Sequence, residues 1–270
     1  MKASLQRRIQ RYGWDKAVDD YSRYWVPLLE WCSERCVELV DPQPGQQVLD
    51  IAAGPGTAAL KIAELVKPEG RVVASDISEE MAAEAMRRAK EVDLDNVEAR
   101  RAAAEELPFA DNSFDAITCV LGLMYAETQP AVAEIHRVLR PGGGVAVCVW
   151  GRRDRCGWSP IFPIVDARVT SEVCPMFFLL GAEGALSYAF ANAGFEVLAE
   201  ERVETTLEFE SPEHAWGAVL PGGPAALAYD RFTPEVQAEV RAEYIASIDE
   251  YHQGDRYLLP GEFVFLSARK

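Results

Sequence analysis

From about residue 46 the chain alternates short apolar runs with longer amphipathic ones. QQVLDIA predicts a strand, TAALKIAELV a helix, GRVVASDI a strand, SEEMAAEAMRRAKEV a helix and VEARRAA a third strand. The second helix has local signals. Ser78 is placed to N-cap it, Glu79 and Glu80 suit its positive end, and Met81, Ala82, Ala85 and Met86 recur at helical spacing. FDAITCVLG then predicts a fourth strand, AVAEIHRVL a helix stopped by Arg-Pro-Gly-Gly, and GGVAVCVW a fifth strand. This alternation predicts an α/β protein: a Rossmann-like, doubly wound sheet of parallel strands whose ligand lies at their carboxyl ends.

The flanks extend this core within one domain overall. Residues 1–45 predict an N-terminal helical cap of one or two helices, rich in aromatic side chains such as Tyr21, Tyr24 and Trp25. The sheet core occupies 46–150. Residues 151–182, with Pro160, Pro163, Pro175 and the pair Phe177 and Phe178, predict a helical lid inserted after the fifth sheet strand. Residues 183–270 complete the sheet and add covering helices. They predict a helix ended by Gly194, a strand in FEVLAEERVETTLEF, helices near 212–219 and 234–249, and a last strand in EFVFLSAR.

Composition narrows the partners. The 270 residues are 49% hydrophobic and 26% charged, as expected for a globular chain with a full core. With 27 basic against 43 acidic residues, the net charge of −16 repels phosphate backbones and anionic lipid, so nucleic acid is not expected as a partner. No 18-residue apolar run and no signal-type apolar region is present, which predicts a cytoplasmic protein with no membrane span. The six cysteines contain no zinc-type CxxC pair. Cys119 and Cys148 lie in strand-like runs as small hydrophobes, and no metal is predicted.

The chemistry concentrates in VLDIAAGPGTAAL, residues 48–60. Gly54-Pro55-Gly56-Thr57-Ala58-Ala59 fits GxGxxA, which by itself equally fits a dinucleotide site. A pyrophosphate on a helix N-terminus tolerates no carboxylate in front of it. Here Asp50 ends the strand four residues before Gly54, which suits a ligand with an ammonium or sulfonium charge. Asp76 ends the second strand, where a carboxylate accepts from both hydroxyls of a ribose, and Ile77 beside it is placed to cover an adenine face.

VLDIAAGPGT, VVASDISEEM, AEELPFADNSFDAI and RVLRPGGGVAV, in this order and spacing, resemble the class I S-adenosylmethionine-dependent methyltransferases. The likeness is to the small-molecule branch that includes the ubiquinone/menaquinone C-methyltransferases, and it is strong over about residues 45–150. The resemblance implies an antiparallel last strand and S-adenosyl-L-methionine as cofactor. It assigns Asp50, Ala52, Gly54 and Gly56 to the methionine end, Asp76 to the ribose, and the Val120 carbonyl to the ammonium. Where the family commonly has an adenine-reading Asp, Ala103 stands here, so that contact falls to Glu105 with the Ala104 amide. Tyr24 and Trp25 are expected to close over the cofactor. Tyr21, Tyr125, Trp150, Trp158, Phe162 and Phe177 are expected to wall an aromatic substrate pocket.

The implied reaction is methyl transfer to a small aromatic or lipophilic acceptor by in-line displacement, driven by proximity and desolvation. No general base stands out. Tyr125 either hydrogen-bonds substrate or packs on cofactor, and His136, His214 and His252 read as structural. Three other readings share parts of the pattern. An NAD(P)-dependent oxidoreductase would leave Asp50 without a purpose. A noncatalytic S-adenosylmethionine-binding protein would look alike where acid–base residues are missing. An arsenite methyltransferase would need thiolates such as Cys156, Cys174, Cys32 and Cys36 to converge. Oligomeric state is not legible in the sequence.

Overall fold

The computed structural model describes residues 3–170, 174 and 176–270. Strands β1 (Gln47–Ile51), β2 (Arg71–Asp76), β3 (Val97–Arg101), β4 (Phe114–Val120) and β5 (Leu139–Trp150) are parallel. β6 (Glu196–Phe209) and the two-residue β7 (His252–Gln253) precede β8 (Arg256–Arg269), which is antiparallel to both β5 and β6. The sheet order is β3-β2-β1-β4-β5-β8-β6, with β7 paired on β8. The order reverses between β1 and β4, and that reversal opens a crevice at the carboxyl ends.

Helices α1 (Ala3–Asp20) and α2 (Val26–Val40) are joined without a break by a π turn, Tyr21–Trp25. Then follow α3 (Thr57–Leu65), α4 (Glu79–Glu91), α5 (Thr128–Val138), α6 (Ile161–Asp166), α7 (Ala185–Asn192), α8 (Pro212–Val219), α9 (Ala226–Arg231) and α10 (Pro234–Ser247). Right-handed crossovers place α3 and α4 on one face of the sheet and α5 and α7 on the other. Val48, Leu49, Ile117 and Val147 are wholly buried between them. β3 and β6 end the main strand order, and the two-residue β7 has β8 as its one partner among the described residues. β6 shows solvent Glu196, Glu201 and Glu208, charges that discourage a foreign strand from pairing there.

Ser78 caps α4 as its position predicts, accepting from the Met81 amide at 3.0 Å. Its hydroxyl in turn donates to Asp15 of α1 at 2.7 Å, and the Glu79 amide donates to the same carboxylate at 3.0 Å. Two acceptors at a positive helix end thus dock α1 across the crevice.

Three local features depart from the sequence pattern. Arg-Pro-Gly-Gly does not merely stop α5: Leu139 is already extended, and β5 begins there, with a register shift opposite Phe114 and Ala116. β8 starts six residues before EFVFLSAR, because the chain from Arg256 pairs with the far end of β6. α9 was not foreseen. In the insertion the structure shows a short 3-10 turn, Arg153–Arg155, and α6, while the part of the predicted lid at residues 171–173 and 175 lies outside the described residues. The ends of this insertion meet: a Cβ on Gly181 would stand 2.1 Å from the Gly151 carbonyl oxygen. Buried Glu262 braces that crossing, accepting from Arg152 N at 2.7 Å and Arg202 Nη1 at 2.6 Å.

Candidate cofactor and acceptor site

The carboxyl ends of β1, β2 and β4 surround a cavity of about 690 Å³, closed from above by α1 and the π turn. Ala52, Gly54, Asp76, Ile77, Ala104, Glu105 and Val120 line it, with Tyr21 and Tyr125 on one side. A smaller cavity of about 410 Å³ continues from it past Tyr21, Gly54 and Leu121 to Asp50. A third, about 300 Å³, opens on the far side of Tyr21, Leu121 and Tyr125 and is walled by Trp14, Trp25, Trp150, Trp158 and Phe177. Tyr21 and Leu121 therefore stand where all three spaces meet.

The turn after β1 has two left-handed residues, Ala52 (φ 53°) and Gly54 (φ 54°), and Gly56 (φ 83°) begins α3. This winding brings the Gly54 amide to Asp76 Oδ2 at 2.9 Å, while Ser78 N donates to Asp76 Oδ1 at 2.8 Å. Asp76 is buried, and desolvation pushes its carboxyl up to about 6 despite those two amides. Asp50 is buried more deeply. Thr118 of β4 donates to Asp50 Oδ1 at 2.7 Å and the Ala59 amide lies near the carboxyl, but the buried Oδ2 has no partner in hydrogen-bond geometry among the described residues. Burial raises this carboxyl to about 7, with the Thr118 hydroxyl opposing. A buried carboxylate oxygen without a donor fits a cationic or N–H-bearing ligand group, because only such a group removes the desolvation cost.

Glu105 is anchored from behind, accepting from the Glu127 amide at 3.0 Å. Gly122 also belongs to the cavity wall, and a Cβ there would stand 2.2 Å from Ala52 Cβ.

Several residues singled out in the sequence lie elsewhere. Gly56 does not reach a cavity; its bare Cα allows α4 to approach, with a Cβ falling 3.0 Å from Ala85 Cβ. Tyr24 faces α8, where its ring lies 5.4 Å from that of His214 and close under Gly217. Trp25 borders the third chamber instead of the cofactor cavity, its indole donating to the Ala218 carbonyl at 2.7 Å. Within the π turn Tyr21 faces the cavities and Tyr24 faces α8. Phe162 does not line the chamber but backs it, 5.1 Å from Phe177 and 5.6 Å from Trp158.

The structure adds Arg7, Gln10 and Trp14 of α1 to the main cavity. Trp14 meets Tyr21 at 5.5 Å and Tyr125 at 5.2 Å, edge to face. The aromatic richness of the N-terminal segment was the available signal for Trp14; nothing in the sequence marked Arg7 or Gln10. His214 bridges Glu210 N and the Tyr24 carbonyl, and His136 packs on Phe195, so both are structural parts. Cys32 and Cys36 come together with Cys148 in the core, but Cys156, at the Glu262 carbonyl, and Cys174, which accepts from Gln10, lie apart from them.

Strand order, the reversal at β1 and β4, and an acid at the end of each of the first two strands agree with the resemblance to the S-adenosylmethionine-dependent methyltransferases. Residues 48–143 match a family described as "Methyltransferase domain". The chain is 44% identical over 158 residues to a ubiquinone/menaquinone biosynthesis C-methyltransferase of Teredinibacter turnerae, covering 57% of this chain and 61% of that one. It is 37% identical over 135 residues to a demethylmenaquinone methyltransferase of Listeria welshimeri, covering 50% and 57%. The chain thus spans about three-fifths of the length of these curated relatives. A crystal structure described as a candidate methyltransferase from Bacillus halodurans superposes with a TM-score of 0.62 at 22% identity, covering 88% of this chain and 98% of that one. That likeness is one of fold.

Proposed function

We propose that this protein transfers a methyl group from S-adenosylmethionine to an uncharged, planar or lipophilic small molecule of quinone type. The supporting observation is the junction at Tyr21, Leu121 and Tyr125 of a cavity bearing two buried acids with a chamber whose lining contains no charged residue. The names of the relatives add the acceptor class: both act on quinone precursors.

When bound, the cofactor supplies an activated methyl on a positively charged sulfur. In this reading Asp50 holds the ammonium or offsets the sulfonium charge, and Asp76 accepts from the ribose hydroxyls. Ile77 and Met81 cover the adenine, and Glu105 with the Ala104 amide reads its edge. Held by these residues, the cofactor would supply a methyl group to the acceptor, whose displaced proton would pass to solvent. The chain contributes alignment and exclusion of water, which together supply roughly 7–11 kcal/mol of a barrier in well-oriented reactions. Tyr125 is a poor base, since burial raises its hydroxyl well above the usual tyrosine range, and Tyr21 is raised for the same first cause. They serve as packing and orienting groups.

The test has two parts. Calorimetry should give binding of S-adenosylhomocysteine, and methyl-labelled S-adenosylmethionine should label a reduced demethylnaphthoquinone. No binding would overturn the cofactor assignment, and binding without labelling of any neutral aromatic acceptor would overturn the transferase.

A further inference from the structure

Trp158 stands at a point in the third chamber where the protein leaves a polar group unanswered. It is 1% exposed and lines the chamber, and its Nε1 is buried with no hydrogen-bond partner among the described residues. Trp25, 5.7 Å away ring to ring, donates its indole N–H to the Ala218 carbonyl, so the same residue type in the same wall is satisfied by the fold. Buried indole N–H groups ordinarily find a partner, because leaving one without an acceptor forfeits the hydrogen bond it made to water.

The ring itself cannot turn away to find one. Trp150 packs against it edge to face at 5.0 Å and Phe177 at 5.5 Å, while Phe162 and Phe178 support it at 5.6 Å and 6.0 Å. A held indole with an unpaired donor, on a residue that walls an otherwise apolar chamber, is suited to reading one oxygen of a bound molecule. A site built to hydrogen-bond a ligand group discriminates against the analogue that lacks it, since the donor is then left buried and unpaired.

We infer that Trp158 is the acceptor-recognition residue of this protein: its indole N–H donates to a carbonyl or hydroxyl oxygen on a neutral ring system. This rests on the methyltransferase reading above for the role of the chamber, and it assigns acceptor class within it. Tyr21 and Tyr125 border both the chamber and the cofactor cavity, whereas Trp158 borders the chamber alone. The recognised oxygen is therefore held away from the shared wall, and the ring is left to present another edge to the cofactor. Trp158 orients and selects; it takes no proton.

The experiment uses two probes that differ only in one carbonyl oxygen, 1-tetralone and tetralin, titrated into the 270-residue chain saturated with S-adenosylhomocysteine. Trp158→Phe keeps an aromatic ring and removes the donor. It should weaken 1-tetralone by about tenfold, leave tetralin within about twofold, and leave S-adenosylhomocysteine affinity unchanged. An equal effect on both probes, no effect on either, or absence of 1-tetralone binding to the parent protein would overturn the inference. Should the variant not fold, the parent protein labelled with 15N-tryptophan decides. The Trp158 indole proton should move downfield with 1-tetralone and not with tetralin, and equal shifts would refute the assignment. Failure of S-adenosylhomocysteine itself to bind would instead refute the methyltransferase reading.

Discussion

The Gly54 amide donates to Asp76 Oδ2 at 2.9 Å, fastening the turn after β1 to the end of β2. With Ser78 N on the other oxygen, the carboxylate cannot rotate, and its remaining lone pairs are presented to the cavity it lines. Asp76→Ala should weaken S-adenosylhomocysteine binding by roughly 2–4 kcal/mol, because two ribose hydroxyls lose a charged acceptor and the turn loses its tie. Titration calorimetry checks this, and an unchanged dissociation constant would make Asp76 a plain strand-end residue.

Cofactor affinity should depend on pH, with a sign set by burial. Asp50 stands at about 7 and Asp76 at about 6 in the ligand-free protein, both above the ordinary carboxylate range because they are desolvated. The folded protein therefore keeps protons that the unfolded chain releases near pH 4, so these groups lower stability as pH rises towards 7. A cationic ligand prefers the ionised Asp50 and reverses that cost. The dissociation constant of S-adenosylmethionine should tighten by about tenfold from pH 6 to pH 8 and then level off. Asp50→Asn should flatten the profile; a flat profile in the parent protein would separate Asp50 from the cofactor.

Gly122→Ala should damage the cofactor cavity without touching any polar contact. Its new methyl would fall 2.2 Å from Ala52 Cβ, and Ala52 cannot yield easily from its left-handed conformation. Overpacking of this kind costs about 1–3 kcal/mol. A fall in S-adenosylhomocysteine affinity larger than the fall in melting temperature implies is the expected signature.

The two lid phenylalanines should separate by phenotype. Phe177 lines the chamber, so Phe177→Ala should raise acceptor KM with little change in kcat, as loss of uniform binding does. Phe162 supports it from behind, so Phe162→Ala should act on stability, by about 3–5 kcal/mol. Steady-state kinetics beside thermal denaturation distinguishes them, and identical profiles would mean that the two form one packing unit.

Tyr125→Phe should cost at most about a hundredfold in kcat, about 2.7 kcal/mol, since no proton transfer is assigned to its hydroxyl. A loss above ten-thousandfold with cofactor affinity intact would reveal a general base there.

The parallel strands, the crossover helices and both acids at strand ends were legible in the chain, because each is written locally. Apolar runs of strand length, Ser78 before Glu79 and Glu80, and small residues after Asp50 need only their neighbours to be interpreted. Periodicity says which side of an element is buried but not what it is buried against, and there the sequence stopped. Tyr21, Tyr24 and Trp25 sit within five residues, yet Tyr24 packs on α8 while Tyr21 and Trp25 line the third chamber and Tyr21 alone also borders the cofactor cavity, a division that only the docking of α1 and α8 decides. Phe162 and Phe177 were indistinguishable as lid aromatics until packing put one in front of the other. The unpaired indole of Trp158 and the unpaired oxygen of Asp50 are likewise invisible along the chain, since a missing partner is defined by everything the tertiary structure brings near.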